Sequence, residues 1–219
     1  MAMSIMVSDL LIQAAFISTM LFMFLWMLNI PQNLFNKIRY RDKSSYAAKR
    51  HFVLGANLLS KSRSTKDRTA AAKLAKSAAE HADKSIAINP KDAAAHILKA
   101  LALDQQGFTT SALEAFDAAL SPLTAKSLSD GERGDALFKR AEIKMKVSKG
   151  EGVESAVADL VESVRLRSDN TATRRLLGEC YEKKEMKEEA LEAYRGWVKI
   201  EPESAVAQAA LVRLGSTET

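Results

Sequence analysis

The stretch that decides the fold runs from Thr171 to Pro202, TATRRLLGECYEKKEMKEEALEAYRGWVKIEP. Leu177 and Tyr181 stand four apart, and Ala190, Tyr194 and Trp197 follow at steps of four and three, the period of a helix with one apolar face. Between the two sets lies Glu182 to Glu189, EKKEMKEE, a run too polar for a core and read as solvated helix ends and a turn with local ion pairs. Helices joined by so short a turn lie antiparallel. Gly178 and Ala190 are small where the two backbones need to approach, and Glu201-Pro202 ends the second helix because proline disfavours a helical residue before it.

The same hairpin recurs upstream. In the unit from Thr171, the residues Leu177, Gly178, Tyr181, Ala190, Tyr194 and Pro202 stand at the offsets of W-x2-L-G-x2-Y followed by Ala, Phe and Pro, so the unit resembles a tetratricopeptide repeat (TPR) of 34 residues. It departs from the pattern at Arg174, where an aromatic is usual, and at Trp197, where a small residue is usual. A unit from Ala93 carries Ala100, Leu103, Gly107 at the turn, Ala112, Phe116 and Ala119, with Lys99 in place of the usual leucine. Another begins near Gly134 with Leu137 and Ala141, then Ala156 and Leu160 after an insertion in its turn KGEGVE. A first unit has His51 to Leu58 as its first helix and Ala78 to Pro90 as its second, after an extra stretch from Lys61 to Thr69. The resemblance implies an all-α fold: a short right-handed α-solenoid of about four repeats, near 48–92, 93–126, 134–170 and 171–204. Asp92 and Ser204 are candidate N-caps, and residues 205–219 supply a capping helix and tail over the last apolar face.

In the family the first helices line a concave groove. The positions this implies offer an apolar strip, Phe52, Ile97, Leu101 and Phe138, and a mixed-charge end with Glu142, Arg175 and Glu179. An apolar strip with a polar margin is the usual makeup of a protein-binding site, for a peptide or a helix; in so short a solenoid the same side chains can instead pack inward. The carboxylate clamp by which some TPR proteins hold the acidic tails of heat-shock chaperones needs paired Lys, Asn and Arg. Here its places hold Phe52, Ala56, Leu98, Asp135 and Lys139, so that partner is not expected.

The rest of the chain of 219 residues is uneven in charge. Residues 51–219 carry 26 basic and 25 acidic groups, so the folded part is nearly neutral and no nucleic-acid partner is expected. Most of the net charge of +5 sits in residues 31–50. Leu10 to Ile30, LLIQAAFISTMLFMFLWMLNI, has no charged residue and as a helix spans about 31 Å, which predicts a transmembrane helix after a short tail, 1–9. With Lys37, Arg39, Arg41 and Lys43 in a basic juxtamembrane linker, 31–47, able to touch the membrane surface, the expectation is a single-pass protein with its C-terminal domain cytosolic. The endoplasmic reticulum or a related endomembrane comes first, the outer mitochondrial membrane second.

No cofactor, metal or catalytic constellation is expected. Cys180 is the lone cysteine, and His51, His81 and His96 fall in three separate helices with packing roles. Two functions remain open: a membrane-anchored adaptor that docks a protein partner, and a structural or assembly subunit of a membrane complex, with a receptor of the outer mitochondrial membrane as a variant.

Overall fold

A computed structural model describes residues 13–20, 30–147 and 152–215, with side chains of the second stretch described from residue 45 on. The chain divides into two units, Met1–Ala47 and Ala48–Thr219. Among the described residues of the first, 13–20 are helical and Ile30 begins α1, which runs to Ser64 and so continues into the second unit.

The expected placement in a membrane needs correction. Among the described residues no helix is long and apolar enough to cross a bilayer. Residues 13–20 span only about 12 Å, and α1, though 35 residues long, carries Lys37, Arg39, Arg41, Asp42 and Lys43 within its first turns. Residues 10–12 and 21–29 of the predicted span lie outside the described residues. The single-pass localisation, on the endoplasmic reticulum or the outer mitochondrial membrane alike, is therefore overturned, and the bilayer contact expected through 10–30 is not shown. Pro31 sits in the first turn of α1, where a missing N–H costs nothing. Residues 31–47, read as a linker, are helical, and the side chains of Lys37, Arg39, Arg41 and Lys43 lie outside those described.

The second unit is a row of helix hairpins. After α1 come α2 (Arg68–Ile88), α3 (Ala93–Gln106), α4 (Thr109–Ala119), a 3-10 turn (Ala125–Ser127), α5 (Asp130–Val147), α6 (Val153–Leu166), α7 (Thr171–Lys183), α8 (Lys187–Ile200) and α9 (Ala205–Arg213). Local chemistry sets the ends. Asp92 accepts a hydrogen bond from Ala94 N at 3.1 Å to cap α3, and Asn170 accepts from Thr173 N at 3.2 Å to cap α7. At α5, Ser129 N donates to Glu132 Oε2 at 2.8 Å and Glu132 N donates to Ser129 Oγ at 3.3 Å, a reciprocal capping box. Gly107 stops α3 with φ 87°, a conformation that strains other residues. Ser204 stands at the N-cap of α9, as expected, but its side chain makes no capping bond.

Packing runs from neighbour to neighbour, as a solenoid requires. One core joins Leu59 of α1, Ala78 and Ala82 of α2 and Leu98 and Ala102 of α3. A second joins Ala100, Ala112, Phe116, Ala136 and Ile143 across α3, α4 and α5. The third links Phe138, Ala156, Leu160, Leu177 and Cys180, and the last lays Tyr194 and Trp197 of α8 on Ala207 and Ala210 of α9. Ala100, Ala112, Ala141 and Ala190 are fully buried at the seams because only small side chains let the helices approach there. Between α4, α5 and α6, the buried carboxylate of Asp159 takes two bonds from Arg140, at 2.6 and 2.8 Å, and one from Lys144 at 2.7 Å, while Arg140 also reaches Asp117. A buried charge held this way is stable only with all its partners in place.

Three of the hairpins are also closed at their mouths by side-chain hydrogen bonds. Ser85 Oγ donates to the carbonyl of Ala48 at 3.0 Å, and Ser163 Oγ donates to that of Gly134 at 2.7 Å, both buried. In the last repeat Trp197 holds the corresponding place. Its Nε1–H donates to Glu201 Oε2 at 2.9 Å, and Thr171 Oγ1 donates to Glu201 Oε1 at 3.0 Å, so a side-chain bridge replaces the direct bond.

Candidate partner-binding groove

Residues at helical spacing on three first helices make one concave surface. Phe52, Ala56, Leu59 and Arg63 form a stripe along α1, Ala94, Ile97 and Leu101 along α3, and Glu132, Asp135, Phe138 and Lys139 along α5. Together with Leu128 after the 3-10 turn and Asn170 and Ala172 at the start of α7, they line a cavity of about 760 Å³. Phe52, Ile97 and Leu101 are half-buried, and Phe138 is 7% exposed, so it forms part of the floor.

The charged margin is held in place. Asp135 pairs with Arg167 and accepts from Asn170 Nδ2 at 3.4 Å. Lys139 Nζ lies 2.7 Å from Glu142 Oε2 and 5.0 Å from the Phe138 ring centroid, a cation–π contact. Hydrogen bonds from the Ser129 backbone and hydroxyl keep the Glu132 carboxyl below the usual carboxylate range.

Of the residues expected on the concave face, Phe52, Ile97, Leu101 and Phe138 come together here. Glu142 stays outside the cavity as the partner of Lys139. Arg175 and Glu179, 3.7 Å apart, line a different depression of about 510 Å³ beside Glu182, Trp197, Val206 and Arg213. There Tyr194 donates its hydroxyl proton to Glu182 Oε1 at 2.5 Å and Arg213 pairs with the same carboxylate. Arg213, then the Tyr194 hydroxyl, hold Glu182 low, while burial and Glu182 push the Tyr194 hydroxyl up. Among the groove residues not anticipated are Arg63, Leu128, Glu132, Asn170 and Ala172. The signal for Arg63 was present in the extra stretch from Lys61, whose first residues extend α1 instead of forming a loop.

The five places of the chaperone-tail clamp, Phe52, Ala56, Leu98, Asp135 and Lys139, all face this cavity. Three are apolar, and Asp135 and Lys139 are already engaged in ion pairs. Cys180 is buried, its thiol 3.6 Å from Met145 Sδ and pushed up to about 11 by burial, the opposite of an activated nucleophile. His96 donates from Nε2 to the Pro90 carbonyl at 2.9 Å, a structural contact. Among the described residues no three His, Cys, Asp or Glu side chains gather to hold a metal.

Stacked antiparallel hairpins with the first helices on one face define an α-solenoid. Residues 64–127 match the model of the tetratricopeptide repeat family, which supports the TPR class. Solved structures agree on the fold. The chain is similar to MamA, with 13% identity, a TM-score of 0.61 and 77% of this chain covered against 80% of that one. It is similar to YrrB, a TPR protein described by its unusual peptide-binding site, with 20% identity, a TM-score of 0.59 and coverage of 84% and 85%. A MamA from Desulfovibrio magneticus RS-1, residue 41 to the end, gives 18% identity, a TM-score of 0.60 and coverage of 78% and 86%. No curated protein sequence matches the chain.

Proposed function

We propose that this protein is a docking scaffold whose groove over α1, α3 and α5 takes an apolar segment, a peptide or one face of a helix, from a protein partner. The carrying observation is that Phe52, Ile97, Leu101 and Phe138, from three separate repeats, line one cavity inside a charged rim. Apolar anchors inside a polar margin are how most binding energy is concentrated at interfaces. The peptide-binding site for which YrrB is described is in keeping with this reading. Nothing in the arrangement needs a cofactor, and the work is recognition.

The test places a photo-crosslinking residue at Leu101 of the full chain and, as control, at Val161, 47% exposed on α6. Crosslinks to one partner from Leu101 and none from Val161 are expected. The double variant Phe52→Glu with Ile97→Glu, chosen because both side chains are only half-buried, should lower the yield by about tenfold or more with helix content unchanged. Equal labelling from both sites, or full labelling in the folded variant, would sink the reading.

A further inference from the structure

Helices α1 and α2 approach each other closely around Gly55, where a Cβ would lie 3.1 Å from the Ala78 carbonyl oxygen and 3.2 Å from Cβ of His81. One turn earlier on α1, His51 faces His81. Their Nδ1 atoms are 3.0 Å apart, the ring centroids 5.2 Å apart and the planes tilted by 34°. The centroids are farther apart than the nitrogens by roughly a ring radius at each end, so both nitrogens lie close to the line joining the rings. That is the geometry of an N–H···N hydrogen bond, in which one Nδ1 donates and the other accepts. Two nitrogens ligating one metal would instead point toward a common third position, off that line.

The bond fixes how protons can add. In the neutral pair one ring is the Nδ1–H tautomer and its remote Nε2 is free to take a proton. The first added proton goes there and turns the donor into an imidazolium, which strengthens the bond. A second proton has only the shared acceptor nitrogen left, and it sets two N–H groups and two positive charges face to face.

We propose that the His51–His81 pair is a proton-operated latch, closed on zero or one added proton and opened by the second, that fastens α1 to α2. The charged groups around it are few. Glu80 and Lys84 come from α2 itself, and α3, packed on α2, brings Lys99, held 2.8 Å from Asp83. Burial first, then Lys84, then His51 hold His81 below the ordinary histidine range. In the unfolded chain no pair exists, and both rings protonate near pH ~6.5. The closed pair keeps a site for the first proton but none for the second, so the unfolded state binds more protons only at the second step, and the contact holds through the first and weakens as the pH falls through the second. Two bonds that do not titrate, Ser85 to Ala48 O and Ser62 to Ala71 O, keep the hairpin together, so the effect is local loosening. Because α1 carries Phe52, Ala56 and Leu59 into the groove, an open latch also unbuilds one groove wall; this last consequence rests on the docking reading, and the latch itself does not.

The test uses the full chain without a partner. Histidine side-chain nitrogen NMR from about pH 8 to about pH 5 should find one ring of the pair as the Nδ1–H tautomer and two separate titration steps. Amide exchange over residues 48–64, corrected for intrinsic rates, should quicken about tenfold across the acid step in the wild type and stay level in His81→Asn. Two Nε2–H tautomers titrating together, or α1 protection that ignores pH in the wild type, would overturn the latch. The NMR result stands even if the variant does not fold. Failure of the docking reading looks different: no crosslink from Leu101 at neutral pH while both titration steps remain.

Discussion

In the first three repeats, α1, α3 and α5 turn apolar side chains into a shared groove, whereas α7 in the fourth presents Arg175, Glu179 and Glu182 at the matching offsets. The seams behind them hardly differ: Gly55, Ala100, Ala141 and Gly178 play the same small-residue part. A repeat therefore fixes its fold with one set of positions and its surface with another, and the two can diverge within a single chain. The mouths of the hairpins diverge as well, with a serine hydroxyl on a backbone carbonyl in the first and third and the Trp197–Glu201–Thr171 bridge in the last.

The sharpest way to break this comparison is Trp197→Ala. Trp197 is buried against Ala207 and Ala210, so its loss should cost about 3–5 kcal/mol in urea unfolding and detach α9 while leaving the groove repeats protected in amide exchange. Gly178→Ala comes next, because its Cβ would fall 2.6 Å from two ring atoms of Tyr194. About 1–3 kcal/mol of destabilisation is expected, and a small or stabilising effect in the same unfolding assay would mean that the α7–α8 seam can open freely. Ser163→Ala leaves the buried Gly134 carbonyl without its partner and should cost about 1–3 kcal/mol, less than the tryptophan bridge of the last repeat. If the two losses came out equal, the mouths would be equivalent in spite of their chemistry. The smallest effect is set by pH. Glu182 has a folded pKa held down by Arg213, so its contribution is complete above pH ~4.3 and lost as pH falls below it. Exchange in Ala205–Arg213 should quicken there before the rest of the solenoid loosens, and Arg213→Ala should abolish that difference.

The hairpin pattern was legible because it follows from spacing, Leu177 to Tyr181 and Ala190 to Tyr194, whereas the apolar strip was what the TPR resemblance implied, with Phe52, Ile97 and Phe138 at one repeat offset and Leu101 one turn further on. What spacing could not carry was the consequence of extra length. Extending α1 to Ser64 brings Arg63 into the groove, and the long connection after α4 folds back to supply Leu128. Glu142, expected on the same face, pairs with Lys139 and is not among the residues that line the cavity. The meeting of His51 and His81 was hidden, since they lie 30 residues apart and only the closeness allowed by Gly55 lets their rings touch. An uncharged run in the N-terminal region was read as a span, but α1 shows how soon charge enters the helical chain after it.

The serine bonds at the hairpin mouths have an engineering consequence. Ser85 reaches a residue 37 positions back and Ser163 one 29 positions back, yet both close the same contact. The entropy of closing a longer loop grows only logarithmically, so this difference costs about 0.2 kcal/mol. The bend at Lys66, at the far end of the hairpin from the Ser85 bond, is thus a natural grafting point: an epitope or fluorophore-binding loop placed there, with the Asp67 cap kept, should leave the Ser85 closure intact.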